Sequence, residues 1–298
     1  MKENDLNFAV SNLGECQITS PITEARFVTD EEHVLYHSDL RSIQNYLDAG
    51  KEPPSLEKAG PRKKIYFDPA NLKCGIVTCG GLCPGLNDVI RAVVLTLFKQ
   101  YRVKQVMGFR YGYEGLSSKY GHAPLELTPE SVSAINEMGG TILGSSRGNQ
   151  DIGDMVDTLN RLRIGILFAI GGDGTLRGAQ AIAGEVARRG LKIAVIGIPK
   201  TIDNDISFIQ QSFGFDTASS EARRAIYAAY SEAWGARNGI GLVKLMGRDS
   251  GFIAAYTVLA NSQVNFCLVP EVPFKLEGLL RPLEERLARH GYAVIVAA

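Results

Sequence analysis

A chain of 298 residues, 45% hydrophobic and 21% charged, is long enough to bury a large core, and its length favours two domains. Its 32 basic residues balance 32 acidic ones, so no net field draws nucleic acid or an acidic membrane, and no basic cluster interleaves with aromatics. The opening Met-Lys-Glu-Asn-Asp-Leu lacks the apolar core of a signal peptide, and no apolar run approaches the roughly 20 residues of a membrane span, so a cytoplasmic protein is expected.

Residues 1–72 are polar and end in KEPPSLEKAGPRKK, rich in proline and charge; they read as an N-terminal extension or arm with little core of its own. From Lys73 the pattern changes. Apolar, β-branched runs predict strands at 74–79, 103–109, 164–170, 192–198, 240–246, 265–270 and 292–298. Helical periodicity between them predicts helices near 87–100, 130–138, 151–162, 175–189, 216–235, 249–261 and 276–290. Strands apolar on both faces, alternating with helices, imply an α/β fold with mostly parallel sheets. A boundary is expected between 206 and 215, before an Ala-rich helix capped by Asp216 or Thr217, dividing 73–212 from 213–298. Trp234, near the end of that helix, reads as a packing residue. The run YAVIVAA (292–298) reads as a buried strand, so either the fold ends inside a core strand or the natural chain continues past Ala298.

In a parallel sheet, ligands bind beyond the carboxyl ends of the strands, so the loops there matter most. After the run at 74–79 comes GGLCPGLN (80–87). Its glycines let backbone N–H groups approach a phosphate at a helix N-terminus, or else make a tight turn. After 164–170 comes GGDGT (171–175), one carboxylate among three glycines. Asp173 there is a ligand for a Mg²⁺ lying on phosphates, or a helix cap. After 192–198 comes PKTIDND (199–205). In an extended chain Thr201, Asp203 and Asp205 would share one side, with Lys200 adding a cation. That set is a base-plus-metal constellation, or a polar surface turn. Arg147 in GGTILGSSRGN (139–149) and Arg248 in KLMGRDSGF (244–252) add two guanidinium groups. Together these loops point to phosphoryl transfer, in which Mg²⁺, cations and a carboxylate base share the work. Five cysteines (16, 74, 79, 83, 267) with no repeated spacing read as reduced thiols rather than a zinc site.

The motifs GGLCPGLN, GGTILGSSR, GGDGT, PKTIDND and MGRDSG, in this order, resemble the 6-phosphofructokinase family over residues 75–298, and most of all its long ATP-dependent branch of trypanosomatids and plants. The resemblance implies two Rossmann-like three-layer domains: 73–212 binding the nucleotide phosphates and 213–298 the sugar phosphate. It implies Mg²⁺-assisted transfer of a phosphoryl group from ATP to the 1-hydroxyl of fructose 6-phosphate, in a homo-oligomer under allosteric control. By the same likeness, Asp203 is the base, Thr201 contacts the moving phosphoryl group and Arg248 stabilises its charge. Asp173 holds Mg²⁺, with Asp205 nearby. Gly81, Arg147, Gly172, Gly174, Thr175 and Lys200 border the donor. Thr201, Asp203, Asp205, Met246, Gly247 and Arg248 contact the sugar. In this family Gly at position 174 goes with ATP and Asp with pyrophosphate, whereas Lys200 is typical of pyrophosphate users; the long ATP branch combines Gly with Lys, as here. A pyrophosphate-dependent enzyme and a non-catalytic nucleotide-binding relative are the alternatives. Where many bacterial members carry an Arg on the sugar-phosphate side, this chain has Gly239.

Overall fold

The computed structural model describes residues 8–298. Residues 73–199 form a five-stranded sheet with three layers. Its strands are β5 (Lys73–Thr78), β6 (Gln105–Phe109), β7 (Leu125–Glu126), β8 (Ile166–Gly171) and β9 (Ala194–Pro199), in the order β7-β6-β5-β8-β9. All pairings are parallel except the short edge strand β7, which the sequence pattern did not predict. Alternate residues of β5 explain the layering. Cys74 and Ile76 pack with Leu86, Ile90 and Val94 of α2 (Leu86–Lys99) on one face. Val77 packs on the other with Met155 and Leu159 of α3 (Ile152–Arg161) and Ile182 of α4 (Asp173–Arg188).

A second, three-stranded parallel sheet follows: β10 (Gly239–Lys244), β11 (Phe266–Leu268) and β12 (Tyr292–Ala297), in the order β10-β12-β11. α5 (Phe215–Gly235) and α6 (Phe252–Leu259) cover one face through Ile226, Ala254, Val294 and Val296. α7 (Leu276–His290) covers the other through Leu283 against Ala293 and Ile295.

The seven expected strands are all present within about three residues of their expected ends. Three expectations change. Residues 130–138 form turns with one short 3₁₀ stretch, Ile135–Glu137, rather than a helix. Ser131 and Ser133 explain this: the Ser131 hydroxyl donates to Thr128 O and the Ser133 hydroxyl to Glu130 O, bonds that compete with helical ones. α5 begins earlier than expected, capped by Gly214 in the left-handed region (φ 85°) and not by Asp216 or Thr217. A side chain at 214 would also collide with Cys83 Sγ. Trp234 is 68% exposed and packs no core.

The described part of the arm, residues 8–72, holds two small antiparallel pairs, β1 (Ile18–Thr19) with β4 (Lys64–Ile65) and β2 (His33–Leu35) with β3 (Ser55–Glu57), plus α1 (Leu40–Asp48). Only Ser20 and Val28 of this segment are buried. Polar ties such as Lys58–Glu32 (2.9 Å) and Arg62–Asp30 (2.7 Å) hold it together. Lys192 Nζ donates to Leu13 O (3.4 Å), fastening it to the first sheet.

Candidate active site

A cleft of about 720 Å³ lies at the carboxyl ends of β5, β8 and β9, beside the point where the strand order reverses. The turns leaving those strands make its walls. Gly80, with φ 84°, lets the chain leave β5; its N–H donates to Ser146 O (3.1 Å) and its carbonyl accepts from the Ser145 hydroxyl (2.6 Å). The Ser146 hydroxyl donates to Tyr111 O (2.6 Å), and that of Thr78 to Gly144 O (2.8 Å). These bonds lace the 139–149 loop onto the 80–87 turn and set Arg147 at the lip, its guanidinium 3.6 Å from where a side chain at Gly81 would begin.

The opposite wall is the start of α4. Gly172 is its N-cap and Asp173 its first residue, so free backbone N–H groups face the cleft where anions are favoured. Gly171 must be glycine: an added Cβ would stand 2.2 Å from Thr175 Oγ1 and 2.5 Å from its Cβ. Gly171→Ala is therefore expected to cost about 1–3 kcal/mol in thermal unfolding. The control is Gly184→Ala on exposed α4, where an added Cβ meets nothing within 4 Å and helix propensity gains.

The cleft gathers Gly81, Arg147, Gly172, Gly174, Thr175 and Lys200, as the sequence implied. Asp173 stands at the lip and pairs with Arg177 (2.7 Å), itself a lining residue. Arg177 was not singled out from sequence, although its i,i+4 spacing from Asp173 signals the pair. Tyr113, also missed, is buried and donates its hydroxyl to Thr175 O (2.7 Å); that contact joins residues 62 apart and leaves no local trace.

Among the described residues no group of three or more His, Cys, Asp or Glu is placed to hold a metal alone. One carboxylate oxygen donor, Asp173, beside a site shaped for phosphate suits Mg²⁺, which takes one or two carboxylates and completes its shell with phosphate oxygens and water. Cys74, Cys79 and Cys83 are buried, which pushes their thiols up to about 12, 12 and 11, so they remain protonated. Lys200 is 6% exposed; burial lowers its pKa, and Arg147 nearby adds to the effect.

The 199–205 loop differs from the extended geometry expected of it. Asn204 is left-handed (φ 55°), fixed by Asn204 Nδ2 donating to Gln210 O (3.0 Å) and Ser212 N–H donating to Asn204 Oδ1 (2.7 Å). The chain turns there, so the two carboxylates do not share a face by strand alternation. Asp205 accepts from the Thr201 hydroxyl (2.6 Å), while Asp203 N–H donates to that same Oγ1 (3.2 Å). Asp203 Oδ1 is buried and has no hydrogen-bond partner. Burial raises the Asp203 pKa, with Asp205 and Asp249 adding repulsion and Lys200 opposing them.

The end of β10 adjoins this loop, since the Ser250 hydroxyl donates to Asp203 O (3.3 Å). Gly247 has φ 132°, and a Cβ there would meet Ser250 O, so the bend needs glycine. Met246 is exposed, and Arg248 is 91% exposed with its ion pair on Asp249 (3.7 Å). The structure thus puts Met246, Gly247 and Arg248 beside the aspartate loop without bringing the guanidinium onto it. At Gly239 a side chain would start 2.2 Å from Ala233 O, so packing on α5 excludes an Arg there.

A family model described as Phosphofructokinase matches residues 73–298. The chain is 49% identical over 294 residues to the "ATP-dependent 6-phosphofructokinase" of Borreliella burgdorferi, covering 96% of this chain and 66% of that protein. It is 52% identical to the enzyme of the same name from Trypanosoma cruzi (90% and 55% covered) and 50% identical to "ATP-dependent 6-phosphofructokinase 7" of Arabidopsis thaliana (90% and 53%). The chain thus spans about half to two thirds of the length of these curated relatives. A pyrophosphate-dependent phosphofructokinase from Marinobacter aquaeolei shares the fold at TM-score 0.67 and 25% identity, over 76% of this chain and 60% of that one. Pichia pastoris phosphofructokinase in the T-state superposes at TM-score 0.65 and 23% identity, over 89% and 34% of the two chains.

Proposed function

The chain belongs to the phosphofructokinase family, and on that premise we propose that the protein is an ATP-dependent 6-phosphofructokinase. The observation that carries the reading is Asp203: a carboxylate with one oxygen buried and unpartnered, and a raised proton affinity, in a loop beside a phosphate-shaped cleft. Once a substrate hydroxyl displaces the atoms that cover it, such an oxygen accepts its proton without first breaking a hydrogen bond of its own.

In this reading the Gly81 backbone amide and the α4 N-terminus hold the donor phosphates, with Arg147 at the lip and Lys200 beneath. Asp173 would hold Mg²⁺, which supplies charge neutralisation on those phosphates when bound. Releasing Asp173 for that role requires Arg177 to give up its ion pair. Asp203 takes the proton of the sugar 1-hydroxyl as its oxygen bonds to the γ-phosphorus, and the bond from that phosphorus to ADP breaks. Thr201 orients the moving group. Arg248, free of any tight pairing, swings onto it and offsets its charge. The domain roles follow: 73–212 for the donor, 213–298 for the sugar phosphate. Homo-oligomer formation, allosteric control and a cytoplasmic location belong to the same proposal and rest on family likeness. Among the described residues no helix is long and apolar enough to cross a membrane.

The test is fructose 1,6-bisphosphate formation from fructose 6-phosphate and Mg²⁺, with ATP and pyrophosphate offered separately. Product with ATP alone is expected. Product with pyrophosphate instead would mean that Lys200 outweighs Gly174 in setting the donor. Nucleotide binding with no product from either donor would leave a binding protein.

A further inference from the structure

The loop from Lys200 to Ser212 is anchored unevenly. Ile202 near its start and Phe213 just past its end pack into the core cluster beneath α2. Its tip does not. There Phe208 sits in the left-handed region (φ 67°), a conformation that a residue with a bulky side chain holds only when its surroundings impose it. Its ring meets two rings from the arm: Phe8 edge-on at 5.2 Å and Tyr36 at 5.6 Å. Phe8 and Tyr36 also touch one another (5.5 Å), and Tyr36 leans on His37 (4.9 Å). A segment with almost no core of its own thus places aromatic side chains against the loop that carries Asp203 and Asp205.

We propose that the N-terminal arm is a positioning element for catalysis: Phe8 and Tyr36 clamp Phe208 and so hold the aspartate loop in its turned geometry. Phe208 stands three residues beyond Asp205. The bonds that shape the turn, Asn204 with Gln210 and Ser212, close directly around it. With the rings gone, no other ring among the described residues holds Phe208 in the left-handed region. The turn at Asn204 then loosens, and the buried oxygen of Asp203 loses its fixed place. Phe8, Tyr36 and Phe208 are not among the residues that line the cleft, so donor binding is predicted to stay as it was. The catalytic consequence rests on the phosphoryl-transfer reading; the mechanical one does not.

The experiment uses the full chain with Tyr36→Ala, Phe208→Ala and the conservative Tyr36→Phe. Amide hydrogen exchange is followed on peptides covering 201–213, where the Asp203, Ile209 and Ser212 amides are hydrogen-bonded. Steady-state kinetics are run beside it. Loss of one ring-to-ring contact is expected to speed exchange in this segment about tenfold, with β5 and α2 unchanged. Turnover is expected to fall with KM for the nucleotide constant, and Tyr36→Phe, which keeps the ring, to match the parent. Unchanged exchange at 201–213 in Tyr36→Ala overturns the clamp. So does a uniform rise across residues 73–199, which would mark a purely structural role, or a Tyr36→Phe variant as impaired as Tyr36→Ala. If the parent forms no product at all, the phosphoryl-transfer reading fails while exchange still judges the clamp.

Discussion

Asp203→Asn is expected to lower turnover by about 10²–10⁴-fold, the range for loss of a positioned base. It is also expected to leave the fold at least as stable at pH 7. The sign follows from the raised pKa. A carboxylate harder to ionise in the folded chain contributes stability while protonated, below its ordinary value near 3.8, and loses it as pH rises through the raised value. At pH 7 the folded protein therefore carries an ionised group that burial and Asp205 disfavour, and the neutral amide relieves both. Thermal unfolding at pH 4.5 and 7 should show the Asn variant gaining more, relative to parent, at the higher pH. In the parent, kcat/KM should fall on the acid side with a midpoint raised above the ordinary aspartate value. An Asn variant within tenfold of parental turnover would remove Asp203 from the chemistry.

Gly174→Asp is expected to weaken ATP binding strongly while leaving the protein folded. An added Cβ there meets nothing within 4 Å, and the position, second in α4, does not require a positive φ. The new carboxylate would stand on the cleft wall where the nucleotide passes. A like charge about 4 Å from the α-phosphate, which pyrophosphate lacks, costs roughly 1–4 kcal/mol across the range from water to a protein surface, a loss of about 5–10³-fold in ATP affinity. Pyrophosphate has no nucleoside to accommodate there and should bind as well as before, or better. Isothermal titration with each donor, at fixed Mg²⁺, separates the cases. Equal loss of both would mean that position 174 tunes phosphate binding in general rather than donor choice.

The first sheet was legible because β5 and β8 are buried on both faces and so leave unbroken apolar runs. The arm's strands and β7 were not, since two or three residues with exposed sides carry no such pattern. The lining of the cleft was legible for a related reason. The glycines and Lys200 lie in loops directly following β5, β8 and β9, and Arg147 lies in one contiguous glycine- and serine-rich loop before α3. Contacts that join distant segments escaped: Tyr113 to Thr175, Ser145 to Gly80, and the arm's rings to Phe208. Asp203 and Asp205 show the remaining limit. Their spacing suggested a shared face only under an extended backbone, and one left-handed Asn204 between them removed that premise.

The order of the second sheet bears on how the protein is born. Among the described residues β10 and β11 each pair with β12, which follows both in the chain, and not with one another. As the ribosome adds about 5–20 residues per second, β5 can pair with β6, and then β8 and β9 can add in turn, soon after each is made. β10 and β11 must wait, unpaired, until residues 292–297 emerge to be inserted between them. For those seconds Ile240 and Leu242, both exposed in the structure, sit on a strand with both edges open. That interval is when a nascent chain of this kind most needs a chaperone, and when a pause in synthesis between residues 244 and 292 would do most harm.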